Sequence, residues 1–211
     1  MTPLRQGYGG QAANLALDVS DIPDYGFGHR SMLWWATASM MVIEGMVFAM
    51  VITSYVYLKG RSPYWPPTGP SPRLLWGTVN TLILLASAVP NALTKKAAQK
   101  FDLARVKLWL AVCLAFAVAF NIVRFLEFGA LNVRWDQNAY GSVVWVLVGF
   151  HTVHVLTDLL DSAVLAALIF TETDLNERRF VDVSENAMYW YFVVFTWLPI
   201  YAVVYFGSRV S

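Results

Sequence analysis

The chain has 211 residues, of which 57% are hydrophobic and only 14% are charged, and its mean hydropathy is +0.50. These values exclude an ordinary soluble globular domain and are typical of a membrane protein with several spans. The formal net charge of +1 excludes the basic surface that a nucleic-acid-binding protein needs. The single cysteine, Cys113, excludes an intramolecular disulfide, and the lack of CxxC and CxxCH motifs excludes a thiolate metal site and covalent haem attachment.

Residues 1–30 are predicted to form a polar N-terminal arm, either mobile or lying on the surface. This segment contains Asp18, Asp21 and Asp24 and has no apolar core beside a basic cluster, so we do not interpret it as a secretory signal. Residues 31–211 are predicted to form one domain of five transmembrane helices, an all-α membrane bundle.

The five predicted spans are separated by polar or proline-rich loops. They cover Met32–Leu58, Leu74–Leu93, Leu108–Phe128, Tyr140–Phe170 and Asn186–Phe206. The first ends where five prolines between Pro63 and Pro72 cannot continue a helix. The loop after the second span holds the strongest basic cluster of the chain, from Lys95 to Lys107. Because basic loops stay in the cytoplasm, we predict a cytoplasmic N-terminus and a C-terminus outside.

The fourth predicted span carries the most unusual pattern, since four ionisable residues interrupt an otherwise apolar run. His151, His154, Asp158 and Asp161 are three, four and three residues apart, a spacing that places them on one stripe of an α-helix. Ionisable groups at bilayer depth are costly and face protein or trapped water rather than lipid. The stripe therefore predicts a partner for this helix.

Three interpretations of the histidine pair differ in chemistry. Two histidines on one helix face cannot reach opposite sides of one porphyrin, and the remaining histidine, His29, lies at a helix end, so a bis-histidine haem is not favoured. A metal site built from His151, His154 and either Glu44 or Asp158 is geometrically possible, but nothing in the sequence fixes it. We favour hydrogen bonding between helices over both of these and over proton handling.

Other charged residues also lie within predicted spans. Glu44, halfway along the first span, must be neutral, be partnered by a distant helix, or contact water or a lipid headgroup. Arg124 and Glu127 are three residues apart and are predicted to form an ion pair near the outer interface. Asp158 and Asp161 are expected to approach the inner interface, where solvation costs less. No nucleophile with a base and no phosphate-binding glycine loop is present, so no catalytic residue is predicted.

Several motifs together resemble subunit III of the haem–copper cytochrome oxidases. They are Glu44 in a span, Glu127 thirteen residues before Tyr140-Gly141-Ser142, Gly149-Phe150-His151-x-x-His154-Val155, and Glu185 leading into Tyr189-Trp190-x-Phe192-Val193 with Trp197 downstream. Each motif alone is weak, whereas their order and spacing together are specific. The resemblance extends from about His29 to Gly207.

The resemblance implies a membrane subunit that binds no haem or metal and packs beside the catalytic subunit I, which holds the haems and copper. It also implies phospholipid binding, support of proton entry into the catalytic subunit, and a longer working life for that subunit. Glu44 would match the carbodiimide-reactive glutamate of the family. Family members often have seven spans, and this chain resembles a shorter form that begins at the third.

The sequence departs from the family pattern at several positions. Asp158 stands where the family usually has glycine, and Arg124 stands where a glutamine is frequent. After Tyr189-Trp190, the family's HFVD is replaced by residues 191–194, YFVV, so that a histidine and an aspartate are lost. Asp158 is one candidate to compensate for them. The two absent spans would form one wall of the family's lipid cleft, so lipid binding there does not carry over intact.

The predicted function is thus a non-catalytic subunit of a proton-translocating respiratory oxidase in the bacterial inner membrane. The proton- and lipid-related candidates are Glu44, Arg124, Glu127, His151, His154, Asp158 and Glu185. One alternative is an accessory subunit of a quinol oxidase or nitric oxide reductase. The other is an independent proton or solute transporter, although internal repeats and broken helices, which are common in transporters, are not evident.

Overall fold

The computed structural model describes residues 26–67, 70–171 and 176–209. These residues form five α-helices and no β-strand, which confirms the predicted all-α fold. The helices are α1 (Met32–Arg61), α2 (Leu74–Gln99), α3 (Leu103–Gly129), α4 (Ala139–Thr171) and α5 (Glu177–Tyr201). A 3₁₀ turn, Gly28–Arg30, precedes α1, and a π-helical turn, Ala202–Phe206, follows α5. All five helices are long and apolar enough to cross a membrane.

Most helices extend beyond the predicted spans because their polar ends are helical too. The second helix continues to Gln99 rather than Leu93, and the fifth begins at Glu177 rather than Asn186. Polar side chains accept hydrogen bonds from backbone N–H groups at the start of several helices. Asp102 accepts a hydrogen bond from the Arg105 N–H at the start of α3, and Asn176 accepts one from Arg178 at the start of α5. Hydropathy therefore located the membrane-spanning part of each helix but not its ends.

Helices α2 to α5 form a ring, in which α2 packs on α3 and α5, and α4 packs on the same two helices from the other side. Helix α1 lies outside this ring and packs on α4 and α5. It buries only Phe48 and Tyr55 within the described part of the chain. Large apolar side chains, among them Ile43, Phe125, Leu160 and Phe195, point outwards from the bundle. Such a surface suits lipid or an apolar partner rather than water.

The glycine of the Tyr140-Gly141-Ser142 motif permits a close backbone approach at the start of α4. A Cβ at Gly141 would overlap the carbonyl oxygen of Arg134 and the side chain of Val133. A backbone atom cannot rotate away as a side chain can. This contact explains why a residue without a side chain stands here.

We expect Gly141→Ala to destabilise the protein by about 1–3 kcal/mol, the usual cost of overpacking. Gly149→Ala in the same helix is the matched control, because a Cβ at Gly149 meets no atom within 4 Å and alanine has the higher helix propensity. Thermal unfolding of both variants in detergent checks the difference. Equal stability of the two variants would contradict the packing argument.

The loop between α3 and α4 contains a surface ion pair. The Arg134 guanidinium donates to both carboxylate oxygens of Asp136, at 3.0 and 2.9 Å. These hydrogen bonds hold the pKa of Asp136 below its ordinary value. Because this pKa is lower in the folded protein than in the unfolded chain, the pair stabilises the fold above the ordinary carboxyl pKa and ceases to do so below the lowered one.

We therefore expect Asp136→Asn to lower the unfolding temperature slightly at neutral pH, since exposed ion pairs contribute little. The difference from the wild type should shrink as the pH falls and vanish once Asp136 is neutral in the folded protein. A series of thermal unfolding curves at decreasing pH measures this. A difference that grows on acidification would contradict the assigned sign.

Candidate functional site

The polar residues of the bundle form two clusters in opposite halves. Because the five helices alternate in direction, the N-terminal ends of α1, α3 and α5 lie on the same side as the C-terminal ends of α2 and α4. One cluster lies towards the C-terminal ends of α1, α3 and α5, and we call it the Arg124 cluster. It contains Asn80, Arg124, Glu127, His151 and Tyr205. We call the second the acidic cavity; its carboxylates are Glu44, Asp158, Asp161, Asp182 and Glu185.

The Arg124 cluster is buried and densely hydrogen-bonded. The predicted ion pair is present, with Arg124 Nη1 at 2.8 Å from Glu127 Oε2, and the two side chains are only 1% and 0% exposed. Glu127 also accepts hydrogen bonds from Asn80 at 2.8 Å and Tyr205 at 2.5 Å. The guanidinium carbon of Arg124 lies 4.0 Å from the ring centroid of Trp197, a cation–π contact. The cluster ties α2, α3 and the end of α5 together.

His151 is held in one protonation state by this cluster. Its Nε2 lies 3.0 Å from the Val193 carbonyl oxygen, which can only accept, so Nε2 carries the hydrogen. Its Nδ1 lies 3.2 Å from Arg124 Nη2, which can only donate, so Nδ1 is the acceptor. A second proton on the ring would break the bond from Arg124. This geometry agrees with hydrogen bonding between helices as the role of His151.

Glu44 meets two partners from other helices. Its Oε2 accepts a hydrogen bond from the Tyr189 hydroxyl at 3.0 Å, and its Oε1 lies 3.5 Å from His154 Nε2. His154 Nδ1 lies 2.6 Å from the Phe150 carbonyl oxygen and therefore carries a hydrogen. His154 Nε2 is the ring nitrogen that faces the Glu44 carboxyl group. His154 thus faces a carboxyl group, whereas His151 faces a carbonyl oxygen and a guanidinium.

Beside Glu44 lies a cavity of about 560 Å³ between α1, α4 and α5. Leu33 and Met40 of α1 and Leu165 and Leu168 of α4 supply an apolar wall. Asp158, Glu185 and the three other carboxylates of the acidic cavity supply the polar wall, together with Arg179. The cavity is thus amphipathic and strongly acidic.

Asp158 differs from the expectation of a solvated position. It is only 3% exposed, and its Oδ1 has no hydrogen-bond partner within the described structure. Glu185 is 4% exposed, with Oε2 equally unpartnered. By contrast, Asp161 is exposed and accepts a hydrogen bond from Asn186 at 3.1 Å. The two aspartates of α4 therefore have different environments.

The residues of the predicted stripe on α4 contact several different helices. His151 contacts α3 and α5, His154 contacts α1, and Asp161 contacts α5. Steps of three, four and three residues on a helix of 3.6 residues per turn add up to a rotation of about 80° between the first and last members. The stripe winds around the helix far enough to meet different partners.

Several residues of these clusters were not predicted as site residues. Tyr189, Tyr205, Asn80 and Asn186 all bond to a named carboxylate from another helix. Partners so distant in the chain leave no spacing signal in one sequence. Among residues 26–67, 70–171 and 176–209, no group of three His, Cys, Asp or Glu side chains is arranged to hold a metal ion.

Comparison with known proteins places this arrangement in a family. The family model of cytochrome c oxidase subunit III matches residues 25–209. The chain belongs to the cytochrome c oxidase subunit III family. Members of this family are non-catalytic subunits, so the chain is part of an oxidase complex that includes subunit I. Its five helices make it a multi-pass membrane protein.

Curated relatives carry the same name. The cytochrome c oxidase subunit 3 of Synechocystis sp. is 28% identical over 181 residues, which cover 84% of this chain and 77% of that protein. The subunit 3 of Thermostichus vulcanus is 25% identical over 172 residues, covering 80% and 84% of the two chains. A probable cytochrome c oxidase subunit 3 of Nocardia farcinica is 27% identical over 180 residues, covering 82% and 84%.

Proposed function

We propose that this subunit III supports the catalytic subunit in three ways: it assists assembly, binds lipid and keeps protons available for uptake. The observation that carries the proposal is the contact of Glu44 with His154 and Tyr189 beside the acidic cavity. It supports a proton role because a carboxyl group, an imidazole and a hydroxyl group meet here next to a space large enough for water.

The orientation of the chain determines which compartment supplies these protons. The acidic cavity lies towards the N-terminal ends of α1, α3 and α5, the side predicted to be cytoplasmic. The basic loop between α2 and α3 lies at the same end and favours this orientation. In a bacterial inner membrane, the cavity would therefore face the cytoplasm, from which we infer that the oxidase takes up its protons.

Assembly and lipid binding rest on apolar surface. Helix α1 exposes Trp35, Val42 and Met46, and α3 exposes Ile122 and Phe125. These side chains suit contact with subunit I or with acyl chains, where helix association depends on packing rather than on expulsion of water. The apolar wall of the acidic cavity offers a second place for an acyl chain.

The decisive experiment replaces Glu44 by glutamine in the intact oxidase. Glu44→Gln keeps an acceptor for the Tyr189 hydroxyl but cannot share a proton with His154. We expect slower steady-state turnover, most clearly when protons are scarce at high pH, and faster loss of activity during turnover. Oxygen consumption followed over time measures both quantities.

Asp136→Asn is the control, because this carboxylate lies in the loop on the opposite side of the bundle. Its turnover and inactivation should equal those of the wild type. If Glu44→Gln also leaves both quantities unchanged in a fully assembled complex, the proton role is wrong, although membership of the complex would stand.

A further inference from the structure

Asp158 lies between two cavities on the side of the bundle that holds the N-terminal ends of α1, α3 and α5. On one side lies the acidic cavity between α1, α4 and α5. On the other side, Asp158 also lines a second, smaller space of about 10 Å³ between α2, α3, α4 and α5. That volume is close to the space that a single water molecule occupies. Asn186 borders both spaces as well.

The carboxyl group of Asp158 lacks the partner that a buried charge needs. Its Oδ1 is buried without a hydrogen bond, although the polar groups of Thr94, Ser162 and Asn186 line the small cavity with it. Ser162 and Asn186 bond to each other, at 3.0 Å. An unpaired buried charge is unfavourable, so this environment favours the neutral acid, which can also donate a hydrogen bond to water.

The groups that face Asp158 are mostly acidic or neutral. Helix α1 contributes Glu44, and α4 itself contributes His154 and Asp161. Helix α5 contributes Arg179, Asp182, Glu185 and Tyr189, and α3 contributes Cys113 through the small cavity. The cation among the cavity-lining residues is Arg179, and its guanidinium lies 3.4 Å from Asp182. Asp158 is therefore not neutralised by an ion pair of its own among the described residues.

We propose that Asp158 is a proton-storing acid that exchanges its proton with Glu44 and Glu185 through water in the acidic cavity. This inference rests on the proposed proton role and names further residues that would perform it. In the exchange, the O–H bond of Asp158 breaks, water passes the proton on, and an O–H bond forms on the carboxylate of Glu44 or Glu185. Net charge is conserved and no electron moves. The chain would thus hold several protons close together on the side from which the oxidase takes them up.

Infrared spectroscopy of the intact, detergent-solubilised oxidase tests the store directly, because a neutral carboxylic acid has its own C=O stretching band. We expect the wild type to show such a band at neutral pH, shifted in D₂O, and Asp158→Asn to lack one component of it. Asp136→Asn, which removes an exposed carboxylate, should retain the whole band. A band of undiminished intensity in Asp158→Asn would overturn the proposal.

The exchange with Glu44 requires a second variant. If the two groups share protons, Glu44→Gln should change the position or the pH dependence of the component assigned to Asp158. An Asp158 component that is identical in the wild type and in Glu44→Gln would overturn the exchange. This readout does not depend on turnover, so it can fail or succeed independently of the activity test of Glu44→Gln.

If Asp158→Asn prevents assembly, the wild-type complex provides the measurement. A carbodiimide reacts with protonated carboxyl groups in apolar surroundings, and the adduct is located by peptide mass spectrometry. We expect an adduct on Asp158 that decreases as the pH is raised. Labelling of Glu44 without any adduct on Asp158 over the whole pH range would overturn the proposal.

Discussion

Replacing Arg124 by methionine is expected to destabilise the protein by about 3–5 kcal/mol, the usual cost of removing one partner of a buried ion pair. Methionine preserves much of the length of the arginine side chain but leaves Glu127 without its cation at 0% exposure. Asn80 and Tyr205 still donate to that carboxylate, but neither carries a positive charge. His151 also loses its donor. The free energy of unfolding in mixed micelles measures the loss.

The double variant Arg124→Met with Glu127→Gln separates charge from packing. Once the carboxylate is neutral, most of the cost of its missing partner should disappear, so the double variant should be more stable than Arg124→Met alone. Arg134→Gln is the matched control, since it removes an arginine from an exposed ion pair and should change stability little. A double variant that is less stable than the single one would show that the charge of Glu127 is not the cause.

The ion pair itself was accessible from the sequence, as were the five helices. Long apolar runs are dictated by the thickness of the bilayer, so each of them predicts a helix without any tertiary information. Arg124 and Glu127 lie on one helix with a spacing that brings side chains together, and the structure confirms their contact. Their depth in the protein was not predicted. It depends on α2, α5 and the π-helical turn, which close over them.

Contacts between helices could not be predicted from the sequence, for a physical reason. The partner of Glu44 is set by how α1 lies in the groove between α4 and α5, and Tyr189 follows it by 145 residues. Nor does helical spacing reveal that Asp158 is buried whereas Asp161, three residues later, is exposed. A hydropathy profile gives both aspartates the same free-energy cost of transfer into the membrane, and only helix packing distinguishes their environments.

The two halves of the bundle consequently suit different tasks. In the Arg124 cluster, Glu127 has three donors and His151 has a fixed tautomer, so neither carboxylate nor imidazole is left unpaired there. In the acidic cavity, Asp158 and Glu185 have unpartnered oxygens, and Glu44 faces a histidine. A densely hydrogen-bonded ion-pair network stabilises a fold, whereas unpartnered carboxyl oxygens beside a cavity can bind water. The first cluster therefore suits a structural role, and the second is where we propose that protons are handled.

Trp197→Ala is expected to cost about 3 kcal/mol, at the lower end of the range for large-to-small substitutions of buried aromatic residues. The lower end applies because lipid reduces the gain from burying apolar surface, which leaves the lost packing as the main term. Trp197 is 0% exposed, and its indole N–H donates to Thr81 at 2.8 Å. Its ring covers the guanidinium of Arg124 at 4.0 Å and packs on His151 at 4.8 Å.

Two further variants divide this cost into its parts. Trp197→Phe keeps an aromatic face for Arg124 but loses the indole donor, so its stability should lie between those of the wild type and Trp197→Ala. Trp135→Ala is the control, because this side chain is 62% exposed and its removal opens no cavity. Unfolding free energies of the three variants provide the comparison. If Trp197→Ala were no more destabilising than Trp135→Ala, the ring would not be part of the packing that holds Arg124 in place.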